Sequence, residues 1–502
     1  MIPLTLGEIA RVTAGTLRAD AAAVVSGDVV IDSRKVVPSG LFCAVPGERV
    51  DGHDFATAAI AAGATAVLGT REIPDVPMIM VGDVAVALGK LARHVVDSLP
   101  SVTIAGITGS SGKTSVKDLA AQLIERLGPT IAPAGSFNNE YGLPLTVLRA
   151  GSGTRYLVLE MSARGVGHIA YLCGIAPPRY GAVLNVGRAH AGEFGSMETV
   201  ARAKGELVEA LPADGVAILN AADPRVAAMA VRTRARVITF AAPPPTSPTP
   251  TASPTPPAPT ASPTPPAPSV SIAQLSPLER VNPHEQADIR AADVRLDELG
   301  RPSFILLTPE GHAPVTLRLH GAHHVPNALA AAALARELGL GLGDIADGLS
   351  SAVPRSRWRM EVATRADGVI VINDAYNANP ESVRAALDAL AHLARDGRAF
   401  AVLGHMAELG DSSRASHEEI GEHAAAAGVA GLIAVGAEAR PILDGARRSG
   451  QWRGEALAVP DGASALTILR DRLKPGDVVL VKASRAAGLE GVAADLLTEA
   501  DQ

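Results

Sequence analysis

Apolar positions in this chain come in short runs separated by Ala-rich stretches. Up to residue 98 the runs are Val29 to Ile31, Leu41 to Val45, Ala66 to Leu68 and Met78 to Val81, with a helical stretch at Phe55 to Ala62. Short apolar runs bounded by turn residues read as strands. Residues 1–98 therefore predict a small α/β unit. Between residues 99 and 350 the run Val102 to Ile107 comes first, followed by a helical pattern from Lys113 to about Leu127. Strand candidates then follow at Tyr156 to Glu160, Gly181 to Val186, Val216 to Leu219 and Arg236 to Phe240. Two more strands are expected at Ser303 to Leu307 and Val315 to Leu319, before an Ala-rich helix that Asn327 opens. A third unit, residues 351–502, offers strands at Val369 to Ile372, Ala399 to Leu403, Gly431 to Val435 and Val478 to Val481. Strands that alternate with helices predict parallel sheets. The expected fold class is α/β in three domains. The central one is a P-loop-type, mostly parallel sheet with helices on both faces; the C-terminal one is Rossmann-like.

One stretch breaks the pattern. From Ala241 to Pro268 the chain is Ala, Pro, Ser and Thr only, and TASPTPPAP occurs at 251–259 and again at 260–268. Proline at this density excludes helix and central strand. Residues 241–278 are expected to be an extended insertion that interrupts the central domain. A proline-rich docking segment is the alternative.

Composition adds limits. Hydrophobic residues make up 47% of the 502 and aromatics only 3%, so Ala, Val, Leu and Ile must build the core. A net charge of -7 argues against nucleic-acid binding by bulk electrostatics. Cys43 and Cys173 form no C-x-x-C pair and read as reduced, buried thiols. The first residues lack a signal peptide's basic and apolar regions, and no apolar run is long enough to span a bilayer. A cytoplasmic protein without stable membrane association is expected.

The chemistry starts at Ile104-Ala-Gly-Ile-Thr-Gly-Ser-Ser-Gly-Lys113-Thr114. Strand, glycine turn and Lys-Thr at a helix start form a polyphosphate cradle, in which loop N–H groups and the positive helix end attract anions. Gly109, Ser110, Ser111, Gly112, Lys113, Thr114 and Ser115 are thus ATP-binding candidates. Lys113 would reach the terminal phosphates and Thr114 would ligate Mg2+. The strict phosphate-loop pattern wants glycine at position 107, which is Ile. In parallel sheets ligands sit at strand carboxyl ends. Glu160 and His190 follow strands of the same unit and are candidate ligands for Mg2+. In the third unit, polar clusters that include Asp374, Tyr376, Asn377, His405 and Lys482 follow three strands and point to one ligand site. Arg34 either ion-pairs at the surface or grips a phosphate. Lys204 on a helix reads as a surface lysine by default.

The stretches GITGSSGKT, SFNNEYGLP, LEMSARGVGHIAYL, AHAGEFGS with AKGEL, NDAYNANPESV and LGHMAELG together resemble the Mur ligase family. The likeness spans nearly the whole chain outside the proline insertion. It implies a three-domain ATP-dependent amide ligase of peptidoglycan precursor synthesis, working through an acyl phosphate. The first and last two stretches resemble the branch that joins D-alanyl-D-alanine to UDP-N-acetylmuramoyl-tripeptide. A monomer using ATP and Mg2+ is expected. By the same resemblance Lys113, Lys204 and His190 are catalytic. Thr114, Glu160, His190 and Lys204 as a carbamate hold the metal. Asn327, Arg357 and Asp374 contact the nucleotide. Ser33 and Arg34 meet the uridine diphosphate, and Asn138, Asn139, Tyr376 and Asn377 meet substrate. In this family's loop the glycine spacing differs from the strict pattern, so Ile107 is no defect.

Arg188 departs from the family pattern, standing where a small hydroxyl residue is expected, and Ser162 stands where Gly is common. Three arginines in Arg355-Ser-Arg357-Trp-Arg359 compete for one role. A sister ligase adding one amino acid would carry a D-N-P-R stretch, absent here. Folylpolyglutamate synthase would read G-K-G-S where this chain reads Gly112-Lys113-Thr114-Ser115. A non-catalytic, ATP-gated binding protein is the rival from another class.

Overall fold

A computed structural model of the chain describes residues 1–47, 50–188, 191–243, 283–450 and 452–498. Its largest sheet has nine strands, in the order Gly311–Thr316, Pro302–Thr308, Ile289–Leu296, Arg236–Ala241, Val216–Asn220, Tyr180–Val183, Thr103–Thr108, Tyr156–Glu160, Thr130–Ile131. From Thr130–Ile131 to Ile289–Leu296 every pairing is parallel, and the last two strands close the edge antiparallel. The sheet is thus mostly parallel, as expected. The chain lays its next strands first on one side of Thr103–Thr108 and then on the other. The crevice at that strand's carboxyl end is the topological switch point, where open α/β sheets bind ligands.

Side-chain alternation builds the two layers. Tyr156 and Val158 face a core shared with Ile107, Val116 and the helix His324–Glu337. Leu157 and Leu159 face the opposite core, shared with Leu172 and Leu207. Period-two strands buried on both faces read as continuous apolar runs, as the sequence does here. Helix His324–Glu337 is buried on nearly every side, and its row of alanines lets it lie close to Lys113–Ile124. Small residues replace the missing aromatics as the means of tight packing.

In the N-terminal unit a five-stranded sheet runs Thr16–Arg18, Met78–Met80, Ala66–Gly69, Leu41–Cys43, Val29–Val30. Its helix Val84–Asp97 shares a continuous core with the central unit through Leu88, Leu91, Leu143 and Leu172. The C-terminal six-stranded sheet runs Glu361–Thr364, Ile370–Asn373, Val478–Lys482, Ala399–Leu403, Gly431–Val435, Glu455–Val459. The three strands that precede the expected polar clusters are therefore immediate neighbours in space. Among the described residues no helix is long and apolar enough to cross a membrane.

Some expectations shift. The strand expected at Val315 to Leu319 lies at Gly311–Thr316, paired antiparallel with Pro302–Thr308. The strand expected to reach Val186 stops at Val183, which leaves Asn185 in a loop. The proline-rich stretch beyond residue 243 lies outside the described residues. Its flanks, Arg236–Ala241 and Ile289–Leu296, pair in one sheet through Phe240 and Ile289, so it interrupts the central unit.

Candidate active site

Strand Thr103–Thr108 carries the chain into the switch-point crevice. Ile107 lies inside that strand and packs in the core; the turn itself is Gly109 to Gly112, which is why position 107 holds a packing residue. Gly112 has φ +81, and a Cβ there would lie 2.6 Å from Asn327 Oδ1. Only glycine satisfies both the left-handed backbone and that approach. Lys113 then starts the helix Lys113–Ile124. The loop is tied to the neighbouring strand's end. Asn185 Oδ1 accepts from Ser111 N–H at 2.9 Å, and Ser110 Oγ donates to the Gly187 carbonyl at 3.0 Å.

A cavity of about 890 Å³ opens above the loop, between the three units. Ser110, Ser111, Gly112, Lys113, Thr114 and Ser115 line it. From other elements come Asn138, Asn139, Glu160 and Asn327, and across the cavity Asp374, Tyr376 and Asn377. Gly109 contributes its carbonyl, which accepts from Lys113 Nζ at 2.6 Å. Burial pushes the Lys113 ammonium down to about 8, against the pull of Glu160 and with a push from Arg359.

Glu160 ends its strand fully buried. Its Oε2 accepts from Asn138 Nδ2 at 3.3 Å, and its Oε1 has no partner. Burial raises its pKa, with Lys117, Arg359 and Lys113 opposing. A buried carboxylate oxygen without a donor, at the rim of a phosphate loop, suits a cation. Thr114 Oγ lies on the same cavity wall and bonds Ser136 Oγ at 2.8 Å. His190 lies outside the described residues. Lys204 does not line the cavity. It is buried with no hydrogen-bond or ion-pair partner among the described residues, and burial, then Lys113, drive its pKa far down. The surface reading of Lys204 fails because its helix, Met197–Glu209, turns that face to the core.

Arg357 is exposed and does not line the cavity; Arg355 pairs with Glu125 on the outside. The arginine that enters is Arg359, which donates to Thr114 Oγ at 3.0 Å and to Ser136 Oγ at 2.8 Å and stacks on the Tyr376 ring at 4.3 Å. Asp374 is held by Lys482 Nζ at 2.5 Å and by the Met360 N–H at 3.2 Å. Asn139 Oδ1 accepts the Gly142 N–H at 2.9 Å, at the first residue of the helix Gly142–Val147. His323 lines the cavity as a neutral imidazole, pushed down to about 4 by burial. Ser33 and Arg34 do not line it. Arg34 donates to Asp32 at 2.9 Å through both Nε and Nη2 and holds that carboxyl at about 2.

Sequence models of the Mur ligase family match three separate stretches: the family's catalytic domain at residues 28–95, its middle domain at 107–246 and its glutamate ligase domain at 358–485. The UDP-N-acetylmuramoyl-tripeptide–D-alanyl-D-alanine ligase of Mycobacterium tuberculosis is 45% identical over 99% of this chain and 98% of its own. The chain belongs to the Mur ligase family. The enzyme of the same name from Escherichia coli is 35% identical over 98% of each chain. Among solved Mur ligases, MurF from Acinetobacter baumannii superposes with a TM-score of 0.80 at 29% identity, covering 99% of both chains. MurF from Thermotoga maritima, solved in complex with ADP, superposes at 0.74 and 29% identity over 95% of this chain and 98% of that one.

Mur ligase membership could not by itself reveal Asn185, Lys117 or Arg359. Asn185 was hidden inside an apolar run. Lys117 is one charged residue among others on its helix. Only the fold separates Arg359 from Arg355 and Arg357.

Proposed function

We propose that the chain is an ATP-dependent, ADP-forming ligase that joins D-alanyl-D-alanine to UDP-N-acetylmuramoyl-tripeptide in peptidoglycan precursor synthesis. The observation that carries this reading is one cavity in which a phosphate loop, an unpartnered buried carboxylate and the strand ends of a second α/β sheet face each other.

A carboxylate is a poor acyl donor because oxide leaves badly. Transfer of the γ-phosphoryl group converts it to an acyl phosphate and releases ADP. The amine of D-alanyl-D-alanine attacks that carbonyl, and the tetrahedral intermediate expels phosphate. Lys113 and Arg359 stabilise charge developing on the phosphoryl oxygens. Gly109 to Ser115 cradle the phosphates, while Asn327 and Asp374 orient the nucleotide. Asn138, Asn139, Tyr376 and Asn377 position the substrates. Glu160, Thr114 and His190 would hold Mg2+, which when bound neutralises phosphate charge. Closing the cavity between units excludes water from the acyl phosphate. Ser33 and Arg34 would take the uridine diphosphate end outside this cavity, with the diphosphate replacing Asp32 on Arg34.

Lys204 is the carbamate candidate. Its burial favours the neutral amine, the form that adds CO2 and loses a proton to give an anion. In 13C-bicarbonate, a carbamate carbon resonance is expected by NMR, absent from Lys204→Arg. Spectra identical for both proteins would remove that role. The enzyme is proposed to work as a cytoplasmic monomer, with units 1–98, 99–350 and 351–502 as its domains.

Phosphate release with purified tripeptide precursor decides the function. Release that depends on D-alanyl-D-alanine is expected. Equal release with and without the dipeptide, or none at all, rejects it.

A further inference from the structure

Lys117 and Asp118 are buried, at 1% and 8% exposure, on the helix whose first residue is Lys113. Lys117 Nζ bonds Asp118 Oδ1, the Pro133 carbonyl at 2.8 Å and Ser356 Oγ at 3.3 Å. Asp118 Oδ2 accepts the Ser356 N–H at 3.0 Å. These bonds are the buried part of a longer seam. From just past the helix end toward its start, Arg126 meets Ser351 Oγ at 3.3 Å, Glu125 pairs with Arg355, and Gln122 exchanges bonds with the backbone of Val353 at 3.0 and 3.1 Å. After Asp118 and Ser356, the seam ends where Arg359 reaches Thr114 Oγ at 3.0 Å. The connector into the C-terminal sheet thus runs antiparallel along the phosphate-loop helix.

At its end the connector is strained. Trp358 and Met360, the two neighbours of Arg359, have φ of +59 and +49. Non-glycine residues adopt this region only when their surroundings over-determine them. The turn is clamped from the C-terminal side, where Asp374 Oδ1 accepts the Met360 N–H at 3.2 Å and the Trp358 carbonyl accepts the Tyr376 N–H at 3.2 Å. From the central side the buried clamp nearest the turn is Ser356 on Lys117 and Asp118. A buried ion pair is weak evidence for stability, since apolar residues of similar size often do as well. What apolar residues lack is direction.

We propose that Lys117 and Asp118 are positioning residues that hold the strained Trp358–Met360 turn, so that Arg359 is aimed at the phosphate site during turnover. The same lysine fixes Pro133, three residues before Ser136, the other hydroxyl that Arg359 touches. Two walls of the phosphate site are therefore set by one buried pair. The inference rests on the ATP-ligase reading above.

A double-mutant cycle on the full-length enzyme tests it, with kcat and the KM for ATP measured by dipeptide-dependent phosphate release. Asp118→Asn is expected to lower kcat about 10–100-fold, the range seen when supporting partners of a site are lost, with the KM for D-alanyl-D-alanine unchanged. In an Arg359→Ala background the same substitution should cost less than about threefold, because it acts through the missing arginine. Equal losses in both backgrounds, or an unchanged kcat, overturn the proposal. If Asp118→Asn fails to show wild-type thermal unfolding, Ser356→Ala takes its place in the cycle. It removes only the hydroxyl bonded to Lys117. A loss that disappears beside Arg359→Ala supports the proposal; no loss, or a multiplicative one, overturns it. A failure of the ligase reading would look different, because wild type itself would release no dipeptide-dependent phosphate.

Discussion

Burial pushes the ammonium groups of both Lys113 and Lys204 toward the neutral amine. For Lys113 this has a visible consequence. Its ammonium must be charged to meet phosphate, and it titrates at about 8. In the free enzyme kcat/KM for ATP should therefore fall as pH rises through about 8, a limb that Lys113→Arg should lack even as its overall rate drops. Such profiles report free-enzyme groups, and a flat profile from pH 7 to 9.5 would contradict the assignment. Glu160 gives a second residue-scale prediction. Glu160→Gln should reduce the rate by about 10²–10³-fold, the cost typical of losing a preorganised charge-stabilising group. Its stability should respond in the opposite sense. The folded-state pKa of Glu160 is raised above 4.5. The stability tied to that carboxyl is fully present below 4.5 and is lost as pH climbs through the raised value. With chelator present, the glutamine variant should match wild type in acid and exceed it at neutral pH in thermal unfolding. Added Mg2+ should raise the melting temperature of wild type only. Residues at this scale were legible where a local pattern marked them, as with Lys113 at its glycine turn and Glu160 at its strand end. Arg359 was not, because three arginines at every second position look alike until the backbone turns one of them inward.

At the scale of elements, the glycine turn is the tightest join between sequence and site. Gly112→Ala must place a Cβ at φ +81 and against Asn327 Oδ1 at 2.6 Å. Strain of about 1–3 kcal/mol is expected from the backbone alone. Pushing Asn327 aside should weaken ATP binding by at least about tenfold, equivalent to about 1.4 kcal/mol. Calorimetric titration with ATP and a melting curve read both effects, and wild-type affinity would mean that Asn327 and Gly112 are not coupled. Strands that are uniform apolar runs were readable, because a sheet covered on both faces demands them: Tyr156–Glu160, Ala399–Leu403 and Gly431–Val435 fall at their expected bounds. Ile289–Leu296 was not. It carries Arg290, Asp293 and Arg295 toward a half-exposed face, and Asp293 sits at a register shift with φ +53. Its identity as a strand comes from its neighbours rather than from its own composition.

At the scale of the molecule, three α/β units could be read from alternation alone, but not how they meet. One meeting point is at Arg188. Arg188, just past the strand Tyr180–Val183, forms a two-bond ion pair with Glu419 on the helix Ser413–Ala426, at 2.8 and 3.0 Å. Its backbone N–H donates to Glu381 Oε1 at 2.9 Å, on the helix Pro380–Leu393. Glu419 also binds Arg384. The partners are 231 positions apart, so no local pattern could have joined them. Their side chains are 44% and 38% exposed, which limits the pair to about 0.2–1 kcal/mol. An energy of that size changes an equilibrium by about 1.4- to 5-fold. Arg188→Ala should therefore raise the KM for ATP within about that range and leave kcat nearly unchanged. The effect should shrink at high ionic strength, where salt screens the wild-type pair. Exchanging the charges in Arg188→Glu with Glu419→Arg should recover part of the loss that either substitution causes alone, although Arg384 will resist the new arginine. A large kcat defect that neither salt nor the exchange alters would place Arg188 in the chemistry itself.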